Sequence, residues 1–217
     1  MNKIIENNQV TIRGEVSSGF SFSHELYGEN FYMMHVNVPR ASGYEDVIPV
    51  MVSDRMLDVA QDYTGQLIRV EGQFRSYNKQ EDRKNKLVLS VFAREVEFID
   101  YLVHDGEGNK IYLDGYICKD PIYRETPLGR EIADILLAVN RPYGKSDYIP
   151  CICWGRNARF AERLNVGEHC AIRGRIQSRT YMKKLDEEHS EERVAYEVSI
   201  STLEVVEETT DQGGGED

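Results

Sequence analysis

The feature that most constrains this chain is that its second half repeats its first. Val10-Thr11-Ile12-Arg13-Gly14 and Ile111-Tyr112-Leu113-Asp114-Gly115 are short alternating segments that each end in glycine, 101 residues apart. Ile48-Pro49 and Ile149-Pro150 keep that offset, and Gly65 and Gly72 answer Gly167 and Gly174 at an offset of 102, with the spacing between the glycines preserved. Agreement at this many positions is the mark of a duplication. A chain of 217 residues divides naturally into two domains of about 100 residues each. The repeat places them at residues 1–102 and 103–207, leaving 208–217 as an acidic, glycine-rich tail expected to be disordered.

Each copy reads as strand, strand, strand, short helix, strand, hairpin, strand. The helices are expected over Asp54 to Asp62 and Asn157 to Leu164, each followed closely by a glycine suited to a cap. Five short strands with one helix between the third and fourth is the requirement of a small closed barrel of the OB type, so the predicted fold is all-β, two OB barrels in tandem. The polar junction from Asp100 to Lys110 is too short to be a long tether, and the barrels are expected to lie close together.

The stretch from Ala138 to Tyr181 carries the chemistry. In Tyr148 to Trp154 the side chains alternate, with Ile149, Cys151 and Cys153 on one face and Tyr148, Pro150, Ile152 and Trp154 on the other. In Ile172 to Tyr181, Ile172, Gly174, Ile176 and Ser178 face inward, while Arg173, Arg175, Gln177, Arg179 and Tyr181 face outward. Rings and guanidinium groups on one exposed face suit an unpaired nucleic-acid strand, whose bases stack on aromatics at about 1–3 kcal/mol each while cations hold the phosphates. An outward ring is equally able to line an interface between protein chains, or to pack beneath a loop.

LAVNRPY, then DYIPCICWG, then GRIQSRTY resemble the core of the bacterial single-stranded DNA-binding proteins, over roughly Lys110 to Glu207. The resemblance implies an OB fold and four base-stacking positions, which fall here on Tyr143, Tyr148, Trp154 and Tyr181. Phosphate contacts are then expected from Arg141, Lys145, Arg156, Arg175, Arg179 and Lys183. The function implied is sequence-independent binding and protection of single-stranded DNA in replication, recombination and repair. Family members bring four barrels together, so a two-barrel chain is expected to form a homodimer. They also commonly end in a hydrophobic tip that docks on other replication and repair proteins. Asp217 closes this sequence without one, which puts recruitment of such partners in doubt.

The first copy keeps the barrel and loses most of this face. Its third strand turns Val47, Pro49, Met51 and Ser53 outward, with no ring where Tyr148 and Trp154 stand. Arg69, Arg75 and Tyr77 remain outward on its fourth strand, interrupted by Glu71. From Met1 to Tyr101 eleven bases face fifteen acids, a net of −4, so this binding face is read as degenerate. Lys79, Arg83, Lys84 and Lys86 form either a phosphate-touching hairpin or a solvated loop tip.

A net charge of −11 sits uneasily with a polyanionic ligand, but its distribution matters more than its sum. Between Arg141 and Lys184 ten Lys and Arg stand against Asp147, Glu162 and Glu168, a local +7. The acids of Asp186 to Glu192 read as a solvated hairpin tip. No apolar run approaches the ~20 residues of a membrane span, and MNKIIENNQV has no signal-peptide core, so a cytoplasmic, nucleoid-associated protein is expected. The four cysteines contain no C-x-x-C pair and read as buried thiols, and the five histidines have no ligand spacing, so neither a metal nor a cofactor is expected. No phosphate loop, G-x-G-x-x-G, H-E-x-x-H or G-x-S-x-G motif is present, which leaves no pointer to an enzyme. Two alternatives remain open: a replication or recombination scaffold that reuses the barrels, and an RNA-binding OB protein.

Overall fold

The computed structural model describes residues 6–81, 84–102, 107–184 and 189–207, without the side chains of 79–81 and 84–86. The tail, residues 82–83 and the side chains of the basic Lys79–Lys86 tip, part of the junction and part of the acidic tip after Lys184 therefore lie outside the described residues.

The first half contains β1 (Asn8–Val16), β2 (Ser21–Leu26), β3 (Glu29–Pro39), β4 (Glu45–Ser53), β5 (Leu67–Glu81) and β6 (Lys84–Phe98). The second contains β7 (Asn109–Ile117), β8 (Ile122–Glu125), β9 (Glu131–Asn140), β10 (Ser146–Trp154), α1 (Arg156–Ala161), β11 (His169–Lys184) and β12 (Ser190–Val205). In the first half β1 pairs with β3, β3 with β4, β4 in parallel with β6, β6 with β5, and β5 with β1. The second half repeats the circuit through β7, β9, β10, β12 and β11. Each circuit closes, so each half is a five-stranded OB barrel. Short β2 and β8 are extra strands that fold back on β3 and β9.

Alternation delivers the inward faces as expected, but Pro49, Met51 and Ser53, expected outward on β4, are buried as well. Ile48, Val50 and Val52 fill one barrel, and Ile149, Cys151, Cys153, Ile172 and Ile176 fill the other. Four of the repeated glycines, Gly14, Gly72, Gly115 and Gly174, mark where backbones cross most closely. β6 and β12 each carry a bulge, with Arg94 and Ser201 as the extra residues opposite Glu71/Gly72 and Arg173/Gly174, and a Cβ on Gly72 or Gly174 would lie 2.2 Å from a carbonyl oxygen of that bulged strand.

The helices differ from expectation. Asp54 to Asp62 forms successive turns, because side chains there compete for the backbone. Ser53 Oγ accepts from Arg55 N–H, Asp58 Oδ1 from Ala60 N–H and Asp62 Oδ1 from Thr64 N–H. The second barrel keeps its helix, but α1 stops at Ala161, where the last bonds tighten to i→i+3 spacing, Arg163 to Phe160 and Leu164 to Ala161. Gly65 and Gly167, at φ 85° and 93°, stand in the turns into the next strands and not at a helix end.

The barrels join edge to edge. β1 and β7 pair antiparallel from Asn8↔Leu113 to Ile12↔Asn109. Val10 faces Ile111, its own counterpart in the repeat, so a pseudo-twofold axis passes through that pair.

Candidate nucleic-acid interface

β10 and the hairpin before it display three of the four expected rings. Tyr143 stands on a single 3₁₀ turn, Pro142–Gly144, at the β9–β10 tip and is 99% exposed. Tyr148 and Trp154, on the outer face of β10, are 47% and 40% exposed. Tyr143 has φ 65°, a conformation shared among the described non-glycine residues only by Tyr27, itself an exposed hairpin-tip tyrosine. Non-glycine residues enter that region at a cost, and such strain gathers at sites that use it. Ile152, on the same outward face, is nevertheless buried, covered within the groove that Trp154 opens onto.

That groove is a concavity of 390 Å³ lined by Trp154, Ile132 and Ile152 together with Arg124, Arg175 and Arg179. Tyr181 is elsewhere. Its ring lies beside the Arg179 guanidinium, 5.7 Å from ring centroid to carbon, and faces a 620 Å³ cleft between the barrels that also meets Pro49, Leu87 and Pro150. The structure thus brings Trp154 and Arg179 together, strings Tyr148 and Tyr143 along the same strand and tip, and sets Tyr181 on the inter-barrel side.

The cations divide into two groups. Lys145, Arg156 and Lys183 are exposed and form no ion pair with a described residue. Arg179 reaches Glu197 only at 3.8 Å. Arg141 is committed to protein contacts. Its Nε donates to Asp147 Oδ2 at 2.5 Å, Nη2 also reaches Asp147 Oδ1, and Nη2 donates to the Ser76 carbonyl of the other barrel at 2.8 Å. Arg175 donates to Asp46 Oδ2 across the junction at 3.1 Å, and burial with Arg40 close by lowers its pKa. Both acceptors are inaccessible, Asp46 at 0% and Asp147 at 1% exposure. The local excess of positive charge facing solvent is therefore smaller than the sequence count.

The first barrel holds an equivalent concavity of 710 Å³, lined by Phe22, Phe31, Met51, Arg75, Phe92 and, from across the junction, Arg141. Arg75 lies 4.5 Å over the Phe92 ring centroid. Tyr44, on the β3–β4 tip, is exposed as Tyr143 is on its own tip. These rings escape the comparison of third strands because they come from β2, β3, β6 and a loop. The aromatic residues in those strands were the available signal.

Cys151, Cys153 and Cys170 are buried thiols, and burial pushes Cys153 up to about 12 and Cys170 to about 11. Among the described residues no cluster of metal-ligating groups occurs, and no helix is long and apolar enough to cross a membrane.

Two barrels joined edge to edge, with exposed rings on β10 and its hairpin and exposed cations at Lys145, Arg156, Arg179 and Lys183, define the class as a tandem OB-fold protein. Comparison with known proteins narrows the class. Residues 108–206 match the single-strand binding protein family. A single-stranded DNA-binding protein of Oceanobacillus iheyensis is 31% identical over 115 residues, 49% of this chain and 68% of that one. The chain belongs to this family. A single-stranded DNA-binding protein of Halalkalibacterium halodurans is 38% identical over 80 residues, 34% of this chain and 48% of that protein. The chain spans about half the length of the first curated relatives it matches. The wild-type single-stranded DNA binding protein of Thermus aquaticus has the same fold, with a TM-score of 0.75, 23% identity, and coverage of 96% of this chain and 97% of that one.

Proposed function

We propose that this protein binds single-stranded DNA without regard to sequence and protects it during replication, recombination and repair, with no turnover. The observation that carries the reading is Trp154, an exposed ring at the mouth of a groove that also presents Arg124 and Arg179. Bases stack on Tyr143, Tyr148, Trp154 and Tyr181. Phosphates are met by Lys145, Arg156, Arg179 and Lys183, whereas Arg141 and Arg175 hold the barrels in place. Four such cations correspond to a slope of log affinity on log salt of about −3 for a single strand. Residues 103–207 act as the main binding domain and residues 1–102 as its partner, and two chains associate to give four barrels.

Trp154 is the sole tryptophan, so it reports on itself. Titration with oligo-dT at low salt should quench its emission, added salt should reverse the quenching, and Trp154→Phe should remove the signal. Absence of both quenching and a mobility shift at low salt would overturn the proposal in favour of a protein scaffold. Tighter binding of oligo-U than of oligo-dT would redirect it to RNA.

A further inference from the structure

The two barrels grip each other through two clamps related by the pseudo-twofold axis, and one of them reaches the backbone of a proposed stacking residue. β10 pairs with β12 only at Cys151 and Ile152, so at Tyr148 that edge of β10 has no partner strand in its own barrel. The vacant place is taken by Ser76, on β5 of the first barrel. Tyr148 N–H donates to Ser76 Oγ at 2.7 Å, Ser76 N–H donates to Asp147 Oδ1 at 2.6 Å, and Arg141 Nη2 donates to the Ser76 carbonyl at 2.8 Å. Three groups between Arg141 and Tyr148 are thereby tied to one residue of the other barrel. That segment has Tyr143 near one end and Tyr148 at the other.

The pseudo-twofold-related clamp obeys the same geometry. β4 pairs with β6 only at Val50 and Met51, and Val47 N–H donates to Ser178 Oγ at 3.1 Å. Ser178 N–H donates to Asp46 Oδ1 at 2.7 Å, and Arg40 Nη2 reaches the Ser178 carbonyl at 3.3 Å. Here the first barrel holds β11 next to Arg179, two residues before Tyr181.

We infer that Ser76 and Asp147 are positioning residues for single-strand binding, and that the first barrel serves as a splint for the second barrel's stacking face. A hairpin tip that carries a fully exposed ring pays an ordering cost when a strand binds it. Holding its base in advance removes part of that cost from the binding equilibrium. The inference rests on the reading of that face as a single-strand platform.

The test uses Ser76→Ala and Ser76→Thr in the full chain. Alanine removes only the hydroxyl acceptor and leaves the backbone bonds to Asp147 and Arg141, while threonine retains the hydroxyl. Amide exchange at Tyr148 in the free protein and affinity for oligo-dT at fixed salt are measured together. Ser76→Ala should speed exchange at Tyr148 and weaken oligo-dT binding about 3- to 10-fold, the effect of one lost hydrogen bond. The Trp154 quenching amplitude at saturation should not change, because that ring is further along β10, and Ser76→Thr should restore both exchange and affinity. Faster exchange with unchanged affinity would overturn the positioning role, and unchanged exchange would overturn the clamp itself. A wild-type chain that leaves oligo-dT unbound would remove the binding reading and this inference with it, whereas normal wild-type binding beside an indifferent Ser76→Ala would remove this inference alone.

Discussion

Arg141 and Lys183 carry the same formal charge in one basic stretch of sequence, yet the fold gives them opposite surroundings. Arg141 neutralises the inaccessible Asp147, while Lys183 is exposed near the end of β11. Arg141→Ala should therefore act on stability, by about 3–5 kcal/mol in urea unfolding, because it strands a buried carboxylate. Lys183→Ala should leave stability within about 0.5 kcal/mol and lower the salt slope of oligo-dT binding by about 0.7. Sequence spacing could place both residues near the binding face but could not separate them, since the partner that claims Arg141 is reached only through the tertiary fold. A signal did exist. Arg40 and Asp46 have the same six-residue separation as Arg141 and Asp147, at the same offset of 101 that relates the two copies.

At the level of elements, strands were legible and their exceptions were not. Period-two alternation in β4, β10 and β11 identified the residues that face the barrel interiors, but not the second cover that also buries Pro49, Met51 and Ser53 on the other face of β4. The helix expected at Asp54 failed because Ser53, Asp58 and Asp62 bond their own backbone, a local choice that spacing between apolar residues does not record. Glycine repeats were visible, but their reason was not. At Gly174 the obstacle to a side chain is a carbonyl oxygen of β12, brought close by the bulge. Gly174→Ala should cost about 1–3 kcal/mol or more in thermal or urea unfolding, with Trp154 emission unchanged in the surviving folded fraction. The first barrel's concavity was missed for a related reason: Phe22 and Phe31 come from the β2–β3 hairpin, and Phe92 joins them from β6, about sixty residues further on.

For the whole molecule, edge pairing of β1 with β7 gives each chain a two-barrel unit with pseudo-twofold symmetry. Association of two chains should be seen in light scattering as twice the 25.0 kDa chain mass, and a mass of 25.0 kDa across the micromolar range would rule out the proposed homodimer. Covalent linkage has a further outcome for how such a protein can change. In a dimer of identical single barrels every substitution appears on both sides of the axis, so no residue can be adjusted for one side alone. Here Gln73 and Arg75 occupy the places that Arg175 and Gln177 hold in the other half, an inversion of order that strict symmetry forbids. Fusion of the copies thus releases each half from self-complementarity, and leaves each free to change without the other.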